Sequence, residues 1–369
     1  MFTLIPLPKT IMLIIVLIKD TKDALAKIAT AKKILYCIIL MLSSACSLSG
    51  IAEASLNSKA LNTFPSLPRY ECETKFAAVQ KGFEERSNLF LKGKHFQNWS
   101  ANRTQKDIFE EFKRIEEWRH QSWYSEKTGE LLVSRIDFMV AQDLLEKGFY
   151  RRPNLIAFQY NQSDGSYNSS NIVLNGQRFL ALEGPTEKNL SQFYKLLQNF
   201  QVTQLVRLTP SISNGEQQSS PYWQGRIKKD SKTKSNFINI PLAGIQTSFP
   251  IRYYFTESWQ DNGSIDPLAL SQLIQAVRKD SDPENGLLAC HCGNGVGRTG
   301  TFIAGLVLLQ EIDRQIAAGI KLAEIDISIE KVVMQLSLQR VYMVAKPEQY
   351  LTLYRLIDHH IQNLQKIPY

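Results

Sequence analysis

The sequence predicts an α/β fold, and three observations predict it. From about residue 105 to the C-terminus, apolar runs of strand length interleave with segments of helical periodicity. Asn175-Gly176 separates two short apolar runs, as a tight hairpin turn does. An apolar run at 286–289 passes through a glycine-rich turn into a helical pattern that begins at Thr301. Strand, turn and helix start in that order are the unit from which α/β sheets are built.

The elements follow in order. Residues 71–91 read as a helix. Residues 107–118 read as another, with Ile108, Phe109, Phe112 and Ile115 at helical spacing. A further helix is expected at 136–146. Strands at 171–174 and 177–182 form the hairpin. A helix at 190–200 leads to a buried strand at 202–208. Strands are expected at 236–241 and 252–255, and a helix at 267–278. After the glycine-rich turn and its helix, two more helices are expected at 328–339 and 347–362. The chain therefore divides into an N-terminal segment, 1–54, a linker or helical extension, 55–104, and one catalytic domain, 105–369.

The chain has 369 residues and a net charge of +8. Residues 1–54 hold six lysines against Asp20, Asp23 and Glu53, a net +3, which leaves +5 for the remainder. That mild excess suits an acidic phosphopeptide. No basic stripe interleaved with aromatics argues for nucleic acid. The five cysteines, at 37, 46, 72, 290 and 292, are not a disulfide framework. No His/Asp/Cys set has metal-ligand spacing, and no metal or other cofactor is expected. The apolar run at 34–50 follows Lys32-Lys33 and precedes Ala52-Glu53-Ala54, a secretory signal pattern. It reads as a cleaved signal for export. The alternatives are a retained anchor, with membrane association through residues 34–50, and a lipoprotein modified at Cys46.

Residues 290–300 read Cys-His-Cys-Gly-Asn-Gly-Val-Gly-Arg-Thr-Gly. Backbone N–H groups in such a turn, together with a helix N-terminus, form a cradle for a tetrahedral anion. The same partial positive charge favours a thiolate at Cys292. Arg298 offers a planar fork for two phosphate oxygens, and Thr299 a hydroxyl for the sulfur. A thiolate below a phosphate cradle is a nucleophile aimed at phosphorus. Cys290 reads as core filling on the face opposite to Cys292. Gly295 to Gly300 also fits the G-x-G-x-x-G dinucleotide fingerprint, but Glu311 and Asp313 fall inside the helical pattern, and the 69 residues that follow read as helices.

The run His291-Cys292-Gly-Asn-Gly-Val-Gly-Arg298-Thr299-Gly resembles the signature of the cysteine-based protein tyrosine phosphatases. The resemblance extends over about residues 105–369, through Tyr167-Asn168, Phe179 to Pro185, Tyr222-Trp223 and Gln339 to Tyr350. It implies a single domain with a central twisted mixed sheet flanked by helices, and a phosphate-binding loop between a strand and a helix. It implies hydrolysis of phosphotyrosine in proteins through a phosphocysteine, and the leader suggests bacterial secreted members of the family, including effectors, as the comparison. Cys292, Arg298, Thr299 and His291 match the signature, and Gly293, Asn294, Gly295, Val296 and Gly297 form the substrate cradle. Trp259-Gln260-Asp261 resembles the family's Trp-Pro-Asp loop, which makes Asp261 the expected general acid, with Gln260 where the family has Pro. Ala345 stands where the family has its water-orienting Gln, so Gln349 is expected to take that part. Tyr150 falls roughly where the family has a substrate-recognition Tyr. A dual-specificity or phosphoinositide phosphatase and a phosphotyrosine-binding pseudo-phosphatase remain the alternatives.

Overall fold

The computed structural model describes residues 69–123, 163, 167–229, 236–241, 248–280 and 286–366. The N-terminal segment, the helix expected at 136–146 and Tyr150 lie outside the described residues. Among the described residues two helices come first, α1 (Arg69–Phe90) and α2 (Gln105–Trp123). Then come β1 (Ser169–Leu174), β2 (Gln177–Leu182), α3 (Leu190–Asn199) and β3 (Val202–Arg207). Two-residue strands β4 (Ile212–Ser213) and β5 (Glu216–Gln217) precede β6 (Ile227–Lys229), β7 (Asn236–Pro241) and β8 (Ser248–Phe255). The chain continues through α4 (Pro267–Lys279), β9 (Leu287–His291), α5 (Gly297–Ala317), α6 (Ile329–Gln339) and α7 (Pro347–Gln365).

Among the described residues seven strands form one mixed sheet in the order β1-β2-β9-β3-β8-β7-β6. The four central strands, β2, β9, β3 and β8, run parallel; the pairs toward both edges are antiparallel. Register levels the central strands at their C-terminal ends, with Leu182 and Arg207 beside His291 and Phe255 beside Arg207. The segments that follow these strands therefore emerge at one edge of the sheet, where α/β proteins bind ligands. The Asn175-Gly176 turn carries φ of 48° and 74°, the left-handed pair that a two-residue hairpin needs.

Side chains alternate across the sheet and build two cores. On one face Phe179, Ala181, Val206, Leu288 and Cys290 pack against Phe302, Ile303, Leu306 and Leu353 of the helices. On the other, Leu180, Leu182, Leu205 and Ala289 pack against Phe193, Leu196 and Leu197 of α3. Phe76 and Val79 of α1 are buried on this second face. α5 is buried from Gly297 to Leu309, which explains why its sequence is apolar on all sides rather than along one stripe. Each large apolar side chain so buried contributes roughly 1.5–3 kcal/mol. Asp266 caps α4 by accepting from the N–H groups of Leu268 and Ala269, with Pro267 at the first helical position. Among the described residues no helix is long and apolar enough to cross a membrane.

Candidate active site

β9 lies between β2 and β3 and is buried along its whole length. It delivers His291 and Cys292 to the shared C-terminal edge. Residues 292–296 then turn into α5, whose N-cap, Val296, provides no side-chain cap. The first-turn N–H groups are thus left to other acceptors. Gly295 has a φ of 69° and lies against the backbone of Leu182 and Glu183, so the position allows no side chain. Arg340, fully buried, donates to the carbonyls of Gly295 at 2.8 Å and Asn294 at 3.1 Å. The guanidinium thus fixes the direction of two loop carbonyls. The same side chain reaches Ser170 and Asn168 and so ties the loop to β1.

Burial pushes the Cys292 thiol up, but the Arg298 charge, the Thr299 hydroxyl and the N–H groups of Thr299 and Val296 outweigh it, and the net shift is downward. The Thr299 hydroxyl is fully buried, and it acts to lower both the Cys292 and the Cys290 thiol. Cys290 is therefore not on the opposite face. Side-chain direction alternates with period two, so residues two apart share a face, and both cysteines belong to one core cluster. Cys290 is fully buried there, and burial, followed by the neighbouring Cys292 charge, pushes its thiol well up. The two thiols thus differ in reactivity although they share a face. His291 is buried and held at both ring nitrogens. Its Nδ1 lies 3.0 Å from the Cys292 carbonyl and its Nε2 2.6 Å from the Tyr222 hydroxyl. A carbonyl only accepts, so Nδ1 carries the proton and Nε2 accepts from Tyr222 in the neutral ring.

Arg298 is 1% exposed, and four groups hold its guanidinium. Nη1 donates to Thr209 Oγ1 at 3.0 Å and to the Trp259 carbonyl at 2.9 Å. Nη2 donates to Gln218 Oε1 at 2.7 Å and to Asp261 Oδ1 at 2.8 Å. The sequence places Arg298, Trp259 and Asp261 in motifs, and the structure brings them together. Thr209 and Gln218 belong to no motif and lie 89 and 80 residues from Arg298. The one local signal was Asn214-Gly215, the same hairpin pair as at 175–176, which marks the turn that carries Gln218.

Gln349, at the start of α7, accepts from the Ala345 N–H at 3.0 Å. A methyl group placed on Gly297 would lie 2.7 Å from Gln349 Oε1 and 3.3 Å from the Ala345 Cβ. Both residues thus border the cradle, and Gly297 is what allows the amide to approach it. The site combines a thiol with lowered pKa, an anion cradle, a fixed guanidinium and a carboxyl group. Groups of these kinds can serve as a nucleophile, an oxyanion clamp and a proton donor.

A family model described as protein-tyrosine phosphatase matches residues 151–359, more than half of the chain. Human receptor-type tyrosine-protein phosphatase eta is 29% identical over 193 residues, 47% of this chain and 14% of that protein. Human receptor-type tyrosine-protein phosphatase alpha is 25% identical over 199 residues, 50% of this chain and 24% of its own length. Tyrosine-protein phosphatase 2 of Schizosaccharomyces pombe is 25% identical over 213 residues, 52% and 30% of the two chains. The chain thus matches less than a third of the length of each of these relatives. With the strand-loop-helix cradle, the lowered thiol and the mixed seven-stranded sheet in place, the chain belongs to the protein tyrosine phosphatase family.

Proposed function

We propose that this protein hydrolyses phosphotyrosine in proteins through a phosphocysteine intermediate. The observation that carries the reading is the Arg298 guanidinium, which lowers the Cys292 thiol and bonds the Asp261 carboxylate at 2.8 Å. The Cys292 thiolate attacks phosphorus, forming the S–P bond as the bond to the tyrosine oxygen breaks. Asp261, which takes up a proton from solvent once the phosphate displaces its carboxylate from Arg298, gives that proton to the oxygen. Arg298 and the N–H groups of residues 293–297 hold the other phosphate oxygens. Thr299 stabilises the thiolate, and His291 fixes the loop from behind. Water then attacks the phosphocysteine, its proton passes to Asp261, and thiolate and inorganic phosphate are released. Gln349 orients that water in place of the Gln that Ala345 replaces. Tyr150 is assigned to the wall of the substrate pocket.

The domain division stands within this proposal, with 105–369 as the catalytic domain and 55–104 as an extension that contributes α1. Residues 1–54 are assigned to export, as in secreted bacterial effectors of the family, or to membrane attachment.

The purified protein, assayed without added metal, should release phosphate from phosphotyrosine peptides well ahead of phosphoserine peptides, phosphothreonine peptides and phosphoinositides. Equal or faster release from the last three would move the reading to a dual-specificity or lipid phosphatase. Tight phosphotyrosine binding without turnover would move it to a pseudo-phosphatase.

A further inference from the structure

Residues 341–345 run from Arg340 to the start of α7 in a strained conformation. Tyr342 and Val344 have φ of 55° and 60°, in the left-handed region. For a β-branched residue such as Val344 that conformation is an outlier that its surroundings must enforce. On the cradle side there is no room to relax it, since a methyl group on Gly300 would lie 2.5 Å from the Val344 nitrogen. Met343 and Val344 are both fully buried. The next peptide reaches the site. The Ala345 N–H donates to Gln349 Oε1 at 3.0 Å. Gln349 Nε2 lies 3.5 Å from the carbonyl of Gly263, at the end of the acid loop, the segment 259–263 that carries Asp261.

Arg119, near the end of α2, grips the other side of that peptide. Its Nη2 donates to the Val344 carbonyl at 3.1 Å and lies 3.1 Å from Glu116 Oε1. The Val344 carbonyl and the Ala345 N–H belong to one planar peptide unit. A donor that fixes the carbonyl therefore fixes the direction of the N–H. Arg119 is 1% exposed, and among the described residues its Nε and Nη1 are buried without a hydrogen-bond partner. Such a guanidinium costs stability that an apolar side chain of similar length does not. Filling space does not call for it; what it adds is one charge-assisted bond to one carbonyl.

We propose that Arg119 is a positioning residue for hydrolysis of the phosphocysteine. It sets the plane of the Val344–Ala345 peptide, the Ala345 N–H sets the Gln349 amide, and the amide sets the water. In that step the water oxygen bonds phosphorus as the S–P bond breaks, and the water proton passes to Asp261. The proposal rests on the reading of Cys292 as the phosphorylated residue and of Gln349 as the group that orients water. It gives α2, which precedes the matched residues 151–359, a part in the chemistry.

The test follows the phosphocysteine itself. The full chain, in excess over dinitrophenyl phosphate, is quenched in acid at successive times, and mass spectrometry follows the phosphoryl group on Cys292. Its rise and its decay give two separate rates. Arg119→Met keeps an apolar stem and loses the donor. It should lengthen the phosphocysteine lifetime about 10-fold, as loss of a charge-assisted hydrogen bond does, and leave the rate of formation unchanged. Alkylation of Cys292 by iodoacetamide should also keep its rate, since the cradle is untouched. Arg119→Lys retains a charged donor without the planar fork and should lengthen the lifetime about 3-fold. Arg119→Met combined with Gln349→Ala should lose no more than Gln349→Ala alone, because both act on one water. Slowed formation, slowed alkylation, multiplied losses in the double variant or an unchanged lifetime would overturn the proposal. Should Arg119→Met fail to fold, Arg119→Lys decides by the same readings. If Gln349→Ala lengthens the lifetime and the Arg119 variants do not, Gln349 keeps its part and Arg119 loses the one proposed. If Cys292 carries no phosphoryl group in any variant, the phosphocysteine reading fails and Arg119 fails with it.

Discussion

At the residue scale the chemistry depends on two thiols with different environments. Cys292 and Cys290 share a face and one hydroxyl neighbour, yet their pKa values move in opposite directions. Only Cys292 has Arg298 and the loop amides to hold the thiolate. Since the folded-state value is lowered, the thiolate persists below the pH at which an ordinary cysteine, about 8.5, protonates. Iodoacetamide should therefore modify Cys292 and spare Cys290, and the rate at Cys292 should fall off at a pH below that of free cysteine. Thr299→Ala removes one stabilising donor and should move the midpoint upward. A midpoint at or above the free-cysteine value in the unchanged protein would remove the basis for nucleophilic attack. Cys292, Arg298 and Asp261 are legible in the sequence because each lies in a short motif whose residue types the chemistry requires. Thr209, Gln218 and Ser213 are not. They reach Arg298 and the acid loop only through the register of the parallel strands, which no local pattern encodes.

At the element scale the long, strongly periodic segments are legible, and short pieces are not. α4 is expected over 267–278 and observed as Pro267–Lys279, because Asp266 and Pro267 punctuate its start. β4 and β5 have two residues each, too few to show an alternation, and only their Asn-Gly turn carries a signal. The segment from Arg340 to the first turn of α7 joins two functions. Arg340 holds the loop carbonyls, and Ala345 and Gln349 border Gly297. The methyl of Ala345 cannot hold water where an amide would. Breakdown of the phosphocysteine should then be slow, and an activated aryl phosphate should give a burst of phenol before the steady state. Ala345→Gln should shrink that burst, and Gln349→Ala should enlarge it. A starting protein without a burst, unaffected by either change, would assign the water to other groups.

At the scale of the whole molecule, the site follows from topology. Four parallel strands end level, so the loops after β2, β3, β8 and β9 converge without any one of them being long. The order of strands is the part that the sequence leaves open, since alternating strands and helices fit many sheets. The resemblance supplied the expected mixed sheet, and the observed order shows why the acid loop, the hairpin and the cradle meet. The central claim is that this convergence makes Cys292 a nucleophile toward phosphorus. The most direct measurement is rapid acid quench of the protein mixed with a phosphotyrosine peptide, followed by mass spectrometry of the digest. The account predicts a phosphoryl group on Cys292 that forms within the first turnover and is absent in Cys292→Ser. Turnover that continues in Cys292→Ser, or a phosphoryl group carried by another residue, would contradict it.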